Sequence, residues 1–352
     1  MAMRISNISE FINVFLADLS DRQKEVIRGR YGLDGSEPVT LQAVGDRYGI
    51  TRERVRQIEA GALAILKKKP ELPYIKFFGQ AAANHLKNAG GIKREADYLE
   101  DLRKQLTDKS APAVFVNGAR FLLELTGKIS SYRDNYNKHW HAFWYLSDGD
   151  RKRAQGFVAK LIAALNVRKD EVVGKNKFTE ILSATAKLTK LAPEATKNYL
   201  AISKRFAESP FGEFGLADWE EINPKTARDW AYLVLKKEKR PLHFSEISKS
   251  ISQHRKDKRT NLQTVHNELI KDDRFVLVGR GTYGLKESGL IPGTAREIIA
   301  HILKKHGPLA SREVINLVMQ QRLIKEGTIL INLQNRRHFE CSPDGRYRVR
   351  EA

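Results

Sequence analysis

Two stretches near the C-terminus lie over each other without a gap. TVHNELIKDDRFVLVGRGTYGL (264–285) sits over TILINLQNRRHFECSPDGRYRV (328–349), pairing Thr264 with Thr328, Leu269 with Leu333, Phe275 with Phe339, Gly281 with Gly345 and Tyr283 with Tyr347. A stretch that recurs must be a piece of chain that builds a unit of its own, so this repeat constrains the fold more than any composition does. Upstream, Thr226-Ala227-Arg228-Asp229 pairs with Thr294-Ala295-Arg296-Glu297, Pro241-Leu242 with Pro308-Leu309, and Glu246-Ile247 with Glu313-Val314. Each copy reads helix, short Pro-Leu turn, helix, helix, then two short strands round a glycine turn. That order is a winged helix.

The same template runs into the middle of the chain. ATKNYLAISKRFAESPFGEFGL (195–216) matches it at Leu200, Phe206, Gly212, Phe214 and Leu216, with helices expected at about 151–165 and 177–189. Before it, GGIKREADYLEDLRKQL (90–106) and ARFLLELTGKISSYRDNYNKHWHAFWYL (119–146) make another copy, with ISSYR and HAFWYL as strands and DNYNKHW as the wing. KKKPELPY (67–74) marks a boundary, because Pro70 and Pro73 stop a helix. At the start, Ile8, Phe11, Ile12, Phe15, Leu16 and Leu19 follow helical spacing over residues 7–19, a stripe expected to pack on the motif that follows.

That motif is a helix-turn-helix. Thr40 can cap one helix, Tyr48-Gly49-Ile50 supplies a turn, and Thr51 can cap a second helix reaching to about Lys67. At about 100° per residue, Val55, Ile58, Ala62, Ile65 and Leu66 share an apolar arc. Arg52, Glu53, Arg56 and Gln57 lie on the other side, and their chemistry suits the major groove: Arg to guanine, Gln to adenine, Glu to cytosine N4. Arg54 at the border, and Lys67 and Lys68 after the helix, suit phosphate contacts. Periodicity by itself is equally satisfied by an amphipathic helix with a solvated charged face.

The residues carry more than periodicity. LSDRQKEVIRGRYGLDG followed by TLQAVGDRYGITRERVRQIEAGALAIL, about fifty of 352 residues, resembles region 4 of the sigma-70 family. The resemblance implies double-stranded promoter DNA as partner, with Arg52, Glu53, Arg56 and Gln57 reading a −35 element, and docking on RNA polymerase core through the flap of its β subunit. In the later part, RPLHFSEISKSI with TVHNELIKDDRFVLVGRGTYGL resembles the HARE-type helix-turn-helix of the polymerase δ subunit and of some chromatin and restriction proteins. It covers residues 225–287 well and 294–350 more weakly. The δ subunit's acidic tail is missing, since the sequence ends RYRVREA. Only eighteen residues precede the region-4-like stretch, which argues against promoter opening by this chain alone.

A formal net charge of +20 points to a polyanionic partner, and its distribution makes nucleic acid the first choice. Residues 20–69 carry 11 basic and 7 acidic groups, residues 236–260 carry 9 and 3, and residues 291–352 carry 11 and 6, so the excess is no basic tail. Within it, Arg255, Lys256, Lys258 and Arg259 lead into a third winged-helix helix and Arg280 lies in its wing, all placed for phosphate or groove contact. That helix offers His266, Asn267 and Lys271, and the later copy Asn332, Asn335, Arg336 and Arg337. One cysteine, Cys341, excludes a disulfide framework and a Cys-rich zinc site. No run approaches 18 apolar residues and no leader is evident, so no membrane partner and a cytoplasmic, nucleoid-associated place are expected.

Two motifs resolve to structural readings. Gly279, Gly281 and Gly284 spell G-x-G-x-x-G, but the dinucleotide fingerprint needs a helix after its third glycine, and YGLK reads as strand. His139-Trp140-His141 sits among aromatics with no acidic ligand near, which favours packing over metal. With no catalytic motif, neither enzyme activity, cofactor nor small-molecule substrate is expected.

The expected protein is mainly α with small β-wings: a helix-turn-helix domain (1–72) followed by winged helices at 73–149, 150–222, 223–289 and 290–352. Its expected role is a sigma-like or δ-like DNA-binding transcription regulator. A protein-interaction adaptor built of winged helices without sequence reading is the rival class. A DNA-sensing component of a restriction-modification system is another, and would need a nuclease or methyltransferase partner.

Overall fold

Each helix of the N-terminal part has its start written beside it. A computed structural model describes residues 7–68, 72–255, 261–321 and 324–350. Asn7 caps α1 (Ile8–Phe15), and Ser20 with Gln23 forms a reciprocal cap on α2 (Asp21–Tyr31). Thr40 accepts from the Ala43 N–H at the start of α3 (Leu41–Tyr48), and Thr51 from the Arg54 N–H at the start of α4 (Arg52–Leu66). Gly49, at φ +66°, adopts the left-handed conformation that ends α3. Val26, Val44 and Val55 form the small core of this helix-turn-helix, with Val39, Leu41, Tyr48, Ile50 and Ile58 around them.

The apolar arc of α4 departs from expectation at one residue. Val55, Ala62 and Leu66 are buried, but Ile65 is 37% exposed. The buried side turns toward Leu63 in the second half of the helix, which leaves Ile65 about 60° off it.

The next six elements are α5 (Pro73–Asn88), β1 (Ile92–Arg94), α6 (Glu95–Leu106), α7 (Pro112–Thr126), β2 (Ser130–Tyr132) and β3 (Phe143–Tyr145). Their strands form an antiparallel sheet in the order β1-β3-β2, with Ile92 and Ser130 both opposite Tyr145. Then follow α8 (Asp148–Val167), α9 (Lys169–Lys175), α10 (Phe178–Leu188), α11 (Pro193–Ala201), β4 (Phe206–Glu208) and β5 (Phe214–Leu216). The chain divides into two compact units, Met1–Ala207 and Glu208–Ala352.

In the first unit the stripe of α1 is buried at all six expected positions, although the helix itself ends at Phe15. Its principal partner is α7 rather than the valine core of the helix-turn-helix. Ile8 and Ile12 pack onto Gly118, and Phe15 and Tyr31 meet Phe121 with ring centroids 6.3 and 4.8 Å apart. The valine core is too small for the stripe, whereas α7 offers a helix that is apolar nearly all round. Each fully buried side chain in this contact contributes about 1.5–3 kcal/mol. One cluster therefore runs from Ile8 through Ile27, Leu33, Ala62 and Leu66 to Phe115, Leu122 and Trp144. Asn117, buried in α7, donates to the carbonyls of Gly32 (2.9 Å) and Ser36 (3.1 Å), which pins the loop after α2.

The second unit repeats one order of elements twice. The first copy has α12 (Ala227–Glu238), β6 (Leu242–His243), α13 (Phe244–His254), α14 (Leu262–Lys271), β7 (Phe275–Gly279) and β8 (Thr282–Leu285). The second has α15 (Ala295–His306), β9 (Leu309–Ala310), α16 (Ser311–Gln321), α17 (Glu326–Leu333), β10 (Phe339–Cys341) and β11 (Arg346–Val349). Their sheets run β6-β8-β7 and β9-β11-β10, the same arrangement as β1-β3-β2. The Pro-Leu stretches read as turns thus lead into two-residue strands that close each sheet, a correction to the sequence reading. The fold is mainly helical with small antiparallel sheets, and each copy has its own core.

Asp229 supplies a pH-dependent part of this stability. It closes the capping box of α12, accepting from the backbone N–H groups of Thr226 (2.9 Å) and Lys225 (3.2 Å), with Arg274 at 3.7 Å. Burial pushes its pKa up, but those hydrogen bonds and the Arg274 charge outweigh burial and leave it below the ordinary aspartate value. A depressed folded pKa gives stability that is full above the unfolded value, about 3.9, and lost as pH falls through the folded one. In thermal unfolding of the full chain, Asp229→Asn, which keeps an acceptor oxygen but removes the charge from the first turn of α12, is expected to cost about 0.3–1 kcal/mol at pH 7. The difference from wild type should narrow in acid, and a constant difference down to pH 2 would contradict this account.

Candidate nucleic-acid interface

The side of α4 that faces away from the core carries Arg52, Glu53, Arg54, Arg56 and Gln57, and all five are exposed. Val55 between them is fully buried, so the helix is held by one side and offers the other. The exposed side chains are paired in the free protein. Arg56 donates to both Glu53 oxygens at 2.9 and 2.7 Å, and Arg54 Nη1 donates to Gln57 Oε1 at 3.2 Å. The hydrogen bond from Arg56 lowers the pKa of Glu53, and the same bond raises that of Arg56. Both groups are fully exposed, so either can exchange its partner for a base edge at little cost. Lys67 and Lys68, just past the helix end, are exposed too.

The neighbouring helices fix the angle at which this face is presented. Arg30 of α2 bonds Glu59 of α4 at 3.2 Å and also donates to the Val39 carbonyl before α3. Arg22 lies over the Tyr48 ring, 3.8 Å from its centroid. Gly45 was not singled out by the sequence, yet a Cβ there would lie 2.6 Å from the Ile50 carbonyl oxygen. The turn between α3 and α4 closes only because this position has no side chain. The sequence signal was a glycine inside an otherwise helical pattern.

The remaining expected contacts are scattered. Arg255 is half-buried at the end of α13, where its N–H donates to the Ile251 carbonyl. Lys256, Lys258 and Arg259 lie outside the described residues. Arg280 is exposed in the turn between β7 and β8. His266 is half-buried rather than simply polar-facing, stacked on Phe244 at 4.4 Å and edge-on to Tyr283 at 6.0 Å. Asn267 accepts from Gln263 and Asn332 donates to its own helix, while Asn335, Arg336 and Arg337 are exposed at the end of α17.

The glycine motif is a hairpin. β8 follows it where a nucleotide fold would place a helix, and of its glycines only Gly281 has positive φ, +64°. His139 is exposed and His141 half-buried; burial, then the charges of Arg94 and Lys204, holds the His141 pKa below the usual histidine value. Among the described residues no three His, Cys, Asp or Glu side chains are grouped to hold a metal ion, and no helix is long and apolar enough to cross a membrane.

Residues 15–68 match the family model for sigma-70 region 4, and residues 225–288 match that for the HARE-HTH domain, a helix-turn-helix named in part for ASXL and restriction endonuclease proteins. RNA polymerase sigma factor SigA of Listeria monocytogenes serovar 1/2a is 42% identical over 71 residues, 20% of this chain and 19% of the relative. The chain thus matches about a fifth of the length of that relative. It carries two helix-turn-helix domains of DNA-binding type, one of them sigma-like, and neither family is enzymatic.

Proposed function

We propose that this chain is a transcription regulator that reads a −35-type promoter element with α4. The observation that carries the reading is the single exposed face of Arg52, Glu53, Arg54, Arg56 and Gln57 on a helix locked from behind, within the segment that matches sigma-70 region 4. Arg52 and Arg56 suit guanine, Gln57 adenine, and Glu53 the amino group of cytosine. Arg54, Lys67 and Lys68 set the register on the phosphates, and Arg255 and Arg280 of the second unit add electrostatic attraction.

RNA polymerase core is the proposed protein partner, through the flap of its β subunit, and the region 4 match supports it. Because Ile27, Leu33, Ala62 and Leu66 are buried beside α1 and α7, a polymerase contact by this half must use other side chains. The domain limits that go with this reading are 1–72, 73–149, 150–222, 223–289 and 290–352. The rival is an adaptor built of winged helices without sequence reading.

Binding of a labelled duplex carrying a −35-type element, against a scrambled duplex, separates the two. Arg56→Ala and Gln57→Ala should each weaken specific binding by about 1–3 kcal/mol, roughly 5- to 150-fold. Absence of specific binding, or its survival in both variants, defeats the promoter-reading proposal. Recovery of polymerase on the tagged chain from nuclease-treated lysate tests the tether, and its loss there would leave DNA as the only link.

A further inference from the structure

We infer that the wing between β2 and β3 is a second DNA contact, gripping the phosphate backbone beside the element read by α4. This rests on the proposal that α4 reads DNA. It starts from what the 73–149 segment has given up. Its third helix, α7, is buried from Phe115 to Leu123 apart from half-buried Val116 and Arg120, and Arg120 is bonded to Glu95 at 2.7 Å. A groove-reading role for that helix is closed, which leaves the wing as the exposed element of this segment suited to nucleic acid.

The wing is rigid at its base. Arg133 is held by Glu95 and Glu124, Asn137 accepts from the N–H groups of His139 and Trp140, and Lys204 donates to the carbonyls of Asn137 and His139, each at 2.8 Å. Trp140 bridges to Ser203. At the tip these restraints hold out Tyr136, 95% exposed, with exposed Lys138 beside it. A phenol and an ammonium held in solvent on a braced hairpin contribute little to the fold, and both are donors that phosphate oxygens accept.

Its position makes the ligand duplex DNA. Arg133 and Asn135 line the same cleft as Arg30 of α2 and Pro38, the latter in the segment that leads to Thr40 and α3. The first helix of a helix-turn-helix crosses the phosphate backbone, so a hairpin beside its entry lies along the flank of a bound site.

The test uses the full chain, the double variant Tyr136→Ala/Lys138→Ala, and two duplexes. One ends at the recognised element and the other extends it by about ten base pairs, one turn, on each side. Wild type should bind the long duplex several-fold more tightly than the short one. The variant should lose that gain, show a salt slope smaller by about 1, and bind the short duplex unchanged. Specific wild-type binding with no gain from the flanks, or a gain that survives in the variant, overturns the wing contact alone. Absence of specific binding to either duplex overturns the α4 reading and the wing contact with it.

Discussion

Alanine at Gly45 is expected to leave the protein folded and to remove most of its sequence-specific duplex binding. The added Cβ would meet a backbone atom, the Ile50 carbonyl oxygen at 2.6 Å, in the turn that also carries the 3.0 Å bond from the Ile50 N–H to the Gly45 carbonyl. Neither atom can rotate aside, so α3 and α4 must part. Overpacking of this kind costs about 1–3 kcal/mol. The large cluster from Ile8 to Trp144 takes Ala62 and Leu66 from the far half of α4 but nothing from this turn, so the protein should keep its circular dichroism and most of its thermal stability. A misplacement of α4 worth about 1.4 kcal/mol is tenfold in affinity, and a loss of at least that size is expected on the labelled duplex. Gly49 is the contrasting position: it needs its positive φ, but a side chain there would meet nothing within 4 Å, so Gly49→Asn should bind nearly as wild type. Equal affinity of Gly45→Ala and wild type would refute the close-approach account.

Glu95→Ala should produce the largest loss of stability in the first unit. Its carboxylate, on a residue only 5% exposed, accepts from Arg120 (2.7 Å), Arg133 (2.8 Å) and the Trp144 indole N–H (3.0 Å), joining α6, α7, the wing and β3. Removing one partner of a fully buried pair costs about 3–5 kcal/mol. Here the arginine side chains are about a third exposed and regain water, while the buried indole N–H is left without an acceptor at about 1–3 kcal/mol. The expected total is about 2–4 kcal/mol in urea unfolding, and less for Glu95→Gln, which keeps an acceptor for Trp144. A change below about 0.5 kcal/mol, the size of an ordinary surface substitution, would show that the hub does not hold the unit together.

What the sequence made legible, and what it hid, follows the range of each interaction. The caps at Thr40 and Thr51 rest on neighbours within a few residues, and the stripe of α1 and the strands ISSYR and HAFWYL, though their partners are distant, carry a local residue pattern that periodicity reads. The strands β6 and β9 have two residues each, too few for alternation to register. Glu95 and Asn117 find their partners at Trp144 and Gly32, 49 and 85 residues away, a distance at which no local pattern operates. The burial of α7 did leave a trace: PAVFVNGARFLLELT is apolar nearly all round, the composition of a helix enclosed on several sides. Within the candidate interface, the residues of α4 could be named from spacing and chemistry. Gly45 showed only as a glycine inside a helical pattern, because its role depends on how closely the turn at Ile50 folds back onto α3.

The lodging of α7 against α1 and α2 bears on the entropy of recognition. Domains joined by a flexible linker must be aligned when both touch one duplex, and the lost rotational freedom opposes binding. Here the helix-turn-helix and the segment after it share a core, so their mutual orientation is settled during folding. On the proposed reading, a duplex seated on α4 would meet the helix-turn-helix and the segment sharing its core as one stiff body, with torque passed through Asn117 and Phe121 rather than absorbed by a hinge.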